Sequence, residues 1–183
     1  MTETTMRPEE DARTGHAPSV QEFRLLPEQT AVRFTTRHLL GLGRVAGAVR
    51  LVSGRMLADT SSRSLLSLEA ELDLASFESG SAARDRVVAS PKLLDIASHP
   101  RAVYRSSSAE RAASGWVVRG VLTVKGVDAP VDLHVDELDP ATAVEAHARA
   151  VVDRFAYGIG FPTVLGSRTL AVDVVARAER VER

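Results

Sequence analysis

From about residue 22 onward the chain alternates apolar and polar positions with a period of two, the pattern of strands that have one dry face and one wet face. The clearest run is Leu65–Leu74, where Leu66, Leu68, Ala70, Leu72 and Leu74 are expected inward and Glu69, Glu71 and Asp73 outward. Gln21–Leu26 is a short strand stopped by Pro27, and Ala31–His38 puts Val32, Phe34, Thr36 and His38 on one face. A long strand from Arg44 aligns Val45, Gly47, Val49 and Leu51, and Gly54 predicts a bulge or bend before Met56. Further strands align Ala102 with Tyr104 and Ser106, then Trp116 with Val118, Gly120, Leu122 and Val124, then Val131 with Leu133 and Val135. A final strand, Arg168–Arg180, places Leu170, Val172, Val174, Ala176 and Ala178 inward.

The stretch Val144–Val152 organises the rest. Its dry face carries Val144, Ala146, Ala148, Ala150 and Val152, against Glu145, His147 and Arg149 on the wet face. Alanine is a poor strand former. Interiors fill to a packing density of about 0.74, so a column of alanines leaves space that facing side chains or a ligand must occupy.

The period breaks once, after residue 78. Ser79 or Ser81 can cap a helix carried by Ala82–Ala89, and Pro91 ends or restarts it. Eight or nine strands joined mostly by hairpins, with one helical interruption, predict an all-β antiparallel domain, either a sandwich or a closed barrel. Closure removes exposed edges, and at about eight strands a lumen can hold side chains or one small ligand. The barrel is therefore the favoured architecture. It is assigned to residues 21–183, behind a polar, aperiodic tail of residues 1–20 that is expected to be disordered.

Composition narrows the chemistry. The 183-residue chain has a net charge of −1 with Lys and Arg scattered, which argues against nucleic acid as a partner. It has no cysteine, so disulfides and thiolate chemistry are excluded. No apolar run reaches the ~20 residues of a membrane-spanning helix, and stable membrane insertion is not expected. The first ten residues lack the apolar core of a secretory signal, so the expected location is cytoplasmic. No nucleophile elbow, zinc-spaced His-Glu pair or phosphate-cradling glycine loop is present, so an enzyme is not expected, nor a cofactor.

A set of short motifs stands in a characteristic order: Val32-Arg-Phe34 leading to His38, Arg84-Asp85 opening the insertion, Pro100-Arg-Ala-Val-Tyr104, Leu122-Thr-Val-Lys-Gly126-Val-Asp-Ala-Pro130-Val131, and Arg154-Phe-Ala-Tyr-Gly158. In this order, from about Phe23 to Glu179, the chain resembles the YceI-like family of lipocalin-like eight-stranded barrels. The resemblance implies binding of a polyisoprenoid, quinone or other lipid-like molecule inside the barrel. The chain departs from the family pattern in the insertion, where Val87-Val88 and Lys92-Leu93-Leu94-Asp95 stand in place of a His-Leu pair and an aromatic pair. With only eight aromatic residues, the expected lining is largely aliphatic.

Inward parity and the resemblance together nominate Phe34, His38, Val49, Leu68, Leu72, Arg84, Tyr104, Trp116, Leu122, Ala146, Ala148, Ala150, Arg154 and Phe155 as ligand contacts. Alternatives stand beside several of them. Arg84 and Asp85 form an ion pair or helix cap that pins the insertion, or Arg84 meets a polar head group. Arg154 ties loop carbonyls together, or its donor fork meets a quinone or phosphate. His38 is a hydrogen-bonded structural residue or a head-group donor. Phe34, Tyr104 and Trp116 are core aromatics or grip an apolar chain. If the hairpin turns about Pro140–Ala141, His134 and His147 face each other on the outer surface, without an evident third metal ligand. The rival reading is a structural or partner-binding barrel filled by its own side chains, and a homodimer is left open.

Overall fold

The computed structural model describes residues 19–38, 43–136, 145–160 and 167–182. Nine strands run through it: β1 (Val20–Leu25), β2 (Ala31–His38), β3 (Gly43–Asp59), β4 (Ser64–Glu78), β5 (Arg101–Arg111), β6 (Trp116–Val124), β7 (Val127–Val135), β8 (Glu145–Asp153) and β9 (Thr169–Arg180). A single α-helix, α1 (Ala82–Ala89), interrupts them between β4 and β5. The tail and the turns proposed at Gly41 and at Asp139-Pro140 lie largely outside the described residues.

All pairings are antiparallel, in the order β1-β3-β2-β9-β8-β7-β6-β5-β4, and β3 also pairs with β4 to close the ring. β1 and β2 both sit between β3 and β9, one below the other. They are one strand position broken by the 3-10 turn Pro27–Gln29, where proline offers no N–H to a ladder. The ring is therefore a closed eight-stranded antiparallel barrel, as expected. Connectivity sets the two ends apart. The β2–β3, β4–β5, β6–β7 and β8–β9 connections share the end that carries α1, and the β3–β4, β5–β6 and β7–β8 connections share the other.

Three register shifts between β3 and β4 alter the simple alternation. Val52 is an extra residue on β3, between the pairs Leu51–Leu72 and Ser53–Glu71. The inward set passes from Val49 and Leu51 to Met56 and Ala58, across a change of parity. The bulge expected at Gly54 thus falls two residues earlier. Gly54 instead accommodates Leu25, whose Cδ1 lies 2.4 Å from where a β-carbon would stand. On β4 the extra residue is Leu66, so Leu65 is buried and Leu66 is 45 % exposed, the reverse of the expectation for that position. A bulge inserts one residue against none on the partner, which turns every later side chain to the other face.

The end opposite α1 is tied by Asp59 in the β3–β4 turn. Its carboxylate accepts from Ser61 Oγ at 2.6 Å, Ser62 Oγ at 2.7 Å and the Ser19 N–H at 3.1 Å. The Ser61 and Ser62 hydroxyls hold its pKa well below the usual carboxylate range. A carboxylate with a lowered folded pKa contributes stability above its unfolded value of about 3.9 and loses it as pH falls toward the folded value. Asp59→Asn is accordingly expected to lower the melting temperature at pH 7. Melting curves at a series of pH values should show the gap to wild type narrowing below about pH 4.

Candidate functional site

Barrel closure encloses a cavity of about 510 Å³. That is roughly seventeen times the ~30 Å³ share of one water, and it falls within the roughly 300–1,000 Å³ of small-molecule sites. Its wall is mostly leucine and valine, thinned by alanines gathered chiefly on one side. Ala146, Ala148 and Ala150 of β8 stand beside Val172, Val174 and Ala176 of β9, with Ala70 and Ala102 on β4 and β5. The alanine face behaves as its alternation predicts: Ala146, Ala148, Ala150 and Val152 line the cavity while Glu145, His147 and Arg149 are exposed.

Of the residues nominated from the sequence, Phe34, Val49, Leu68, Leu72, Arg84, Tyr104, Leu122, Ala146, Ala148, Ala150 and Arg154 lie on the cavity wall. Phe34 stacks on Phe77 with centroids 5.1 Å apart. Its ring lies across Gly47, where a β-carbon would come within 2.2 Å of Phe34 Cζ. His38 is the last residue of β2, opposite Gly43, and its side chain lies outside the described residues.

Trp116 and Phe155 are not on the wall. Trp116 begins β6 at the end away from α1, buried in the core with the Arg111 guanidinium 5.5 Å from its ring. Phe155 is 37 % exposed and lies between Arg154 and Arg168, whose guanidiniums are 4.9 and 5.6 Å from its ring. The cause is the 3-10 turn Arg154–Tyr157 that follows β8. Strand alternation stops at Asp153, whose carboxylate caps the Phe155 N–H at 3.0 Å. With three residues per turn, Arg154 and Tyr157 share the inward face and Phe155 turns out.

Arg154 is buried at 8 % exposure. It donates from Nε to the Ser167 carbonyl at 2.8 Å and from Nη1 to the Ile159 carbonyl at 2.9 Å. Burial draws its pKa down, and neighbouring Asp153 partly opposes this. Of its two readings, the one in which it ties loop carbonyls is the one these bonds express. At the insertion, Ser81 caps α1 through the Arg84 N–H at 3.4 Å, and Ser90 stands at its C-terminus before Pro91. Arg84 and Asp85 do not pair with each other among the described residues. Asp85 accepts from Ser79 N and Oγ at 3.1 and 2.5 Å, and Arg84 Nε donates to Ser79 Oγ at 2.9 Å.

Alternation could not reveal several wall residues. Val87, Val88, Leu93 and Leu94 come from the insertion, and Phe77 follows an irregular stretch of the β3–β4 pairing. Tyr157 and Ile159 come from the segment after β8. α1 buries no residue, so its valines carry no helical core signal; their role appears only when the helix sits at a barrel end. The two imidazoles do not face each other. β7 and β8 pair His134 with Arg149, two residues beyond the partner assumed, and His147 lies 3.4 Å from Glu145. Among the described residues no three metal-ligating side chains converge.

Tyr104 and Tyr157 place phenols at the wall. Tyr104 donates to the Val118 carbonyl at 2.9 Å, and burial raises its pKa well above the usual range. Tyr157 is 3 % exposed, and burial pushes its pKa up to about 12. Its hydroxyl has no hydrogen-bond partner among the described residues.

Fold and cavity together define a lipocalin-like barrel with a hollow apolar interior. The chain belongs to the YceI-like family, whose domain model matches residues 23–179. Solved structures of the same shape include Burkholderia cenocepacia BcnA, at 19 % identity and TM-score 0.67, covering 83 % of this chain and 98 % of that one. A polyisoprenoid binding domain from Saccharophagus degradans is similar at 16 % identity and TM-score 0.58, covering 87 % and 98 %. The Campylobacter jejuni YceI protein is similar at 13 % identity and TM-score 0.53, covering 75 % and 82 %. A sequence search of curated proteins matched none. Among the described residues no helix is long and apolar enough to cross a membrane.

An unmet buried hydroxyl costs about 1–3 kcal/mol. Tyr157→Phe is therefore expected to raise the melting temperature of the protein by about 2–12 °C, read by calorimetry. A fall would mean that the hydroxyl carries a stabilising bond.

Proposed function

We propose that the protein binds and sequesters a long apolar molecule, a polyisoprenoid or another lipid-like chain, inside its barrel. The observation that carries this reading is the cavity of about 510 Å³ with its aliphatic wall. The Saccharophagus degradans neighbour, described as polyisoprenoid binding, supports the ligand class. The driving force is burial of apolar ligand surface, at about 0.8 kcal/mol per buried CH₂ before the costs of association. The aliphatic wall grips without directional bonds, so chain length and shape decide fit more than functional groups along the chain. The self-filled alternative requires a bore closed by its own side chains, and a cavity of this volume speaks against it.

Two measurements test the reading. Organic extraction of the purified full chain, followed by mass spectrometry, is expected to recover an apolar small molecule in near-stoichiometric amount. Ala148→Phe projects a ring into the cavity from the middle of β8. Uptake of the 15-carbon hydrocarbon farnesene, followed by displacement of the uncharged fluorophore N-phenyl-1-naphthylamine, should weaken by about tenfold or more with little change in melting temperature. Undiminished uptake would place the ligand elsewhere.

A further inference from the structure

Six polar side chains reach the cavity wall among the described residues: Thr30, Thr36, Arg84, Tyr104, Arg154 and Tyr157. Four have their donors engaged by backbone carbonyls. Thr30 Oγ1 donates to Leu26 at 2.8 Å and Thr36 Oγ1 to Thr169 at 3.2 Å; Tyr104 donates to Val118, and Arg154 to Ser167 and Ile159. The Tyr157 hydroxyl is shut off from solvent and uncharged. Arg84 is different. It is half-buried in the first turn of α1, and only its Nε is engaged, by Ser79 Oγ at 2.9 Å. Its terminal nitrogens have no partner among the described residues, and no carboxylate pairs with it. The adjacent acid, Asp85, accepts from Ser79 N and Oγ and meets Arg84 only through that hydroxyl, which bridges the two side chains without a direct ion pair. Ser79 thus orients a guanidinium whose outer edge remains open at the end of an apolar tube. A fork of N–H donors carrying a full charge suits a carboxylate or a phosphate.

Given that the cavity takes an apolar chain, we propose that its ligand is an amphiphile whose anionic end, carboxylate or phosphate, is received by Arg84 at the helical end of the barrel. The chain then runs inward past Phe34 and the β8 alanines, and the head remains where water can still reach it. Four 15-carbon probes separate the possibilities in wild type, Arg84→Gln and Arg84→Lys: farnesene, farnesol, farnesoic acid and farnesyl phosphate. Each is titrated into the full chain by displacement of N-phenyl-1-naphthylamine. Wild type is expected to bind at least one anionic probe about tenfold more tightly than farnesol, and added salt should reduce that preference. Arg84→Gln should abolish the preference while leaving farnesene and farnesol within about twofold. Arg84→Lys, which keeps the charge and loses the fork, should retain part of it. A preference for the acid alone marks a carboxylate ligand, and for the phosphate alone a phosphate. Equal binding of all four probes, or a preference that survives in Arg84→Gln, overturns the assignment of Arg84 while the apolar cavity stands. Failure of every probe and of the fluorophore to bind overturns the cavity reading itself, and Arg84 with it.

Discussion

The structure depends on a mismatch between the bore that eight closed strands enclose and the side-chain volume available to fill it. Closure leaves no free sheet edge, so every strand must find two partners, and the ring cannot contract without losing a ladder. The β8 alanines, flanked by valines and Ala176 of β9, then face inward with too little volume to meet across the lumen. In a packed core such a shortage would draw the walls together. In a barrel the backbone hydrogen bonds hold the walls at a fixed distance, and the deficit remains as a cavity.

The ends are organised differently from the wall. Away from α1, Asp59 and the serines around it close a turn with short hydrogen bonds, and Trp116 packs in the core. At the helical end, Lys125 in the β6–β7 turn donates to the Pro91 carbonyl at 2.7 Å and anchors the insertion across the barrel mouth. Arg154 fastens the segment after β8 from within, its charge tolerated because its donors meet carbonyls. The polar groups of the interior are thus mostly absorbed by the protein's own backbone. The outer face carries its charges in exposed pairs such as Arg149–Asp136 and Arg168–Asp153, which bear on solubility more than on stability.

Where local alternation and global closure agree, the residues could be read directly. Leu122 and the β8 alanines were legible because their ladders with β7 and β9 run without a register shift, and Leu68 and Leu72 because the run from Leu68 to Leu74 on β4 keeps its own alternation while the extra residue Val52 is taken up by β3. The bulge near Gly54 was signalled by the glycine but falls at Val52, and the one at Leu66 was not signalled at all, because a bulge is a compromise between two strands and its exact position is set by their pairing. The outward turn of Phe155 has the same origin, since a 3-10 turn begins where strand periodicity ends. The pairing of His134 with Arg149 instead of His147 rests on the β7–β8 register, which a pattern along one strand does not specify.

The amino-acid sequence by itself determined the strand identities, the single helix with its serine cap, the small-residue face of β8 and membership of a recognisable family, because these follow from short-range periodicity and local motifs. Tertiary structure decided the size of the bore, the contribution of Val87, Val88, Leu93 and Leu94 to its wall, and which polar side chains are engaged. Each of these depends on distances between segments remote in the chain, and such distances exist only once the ring has closed.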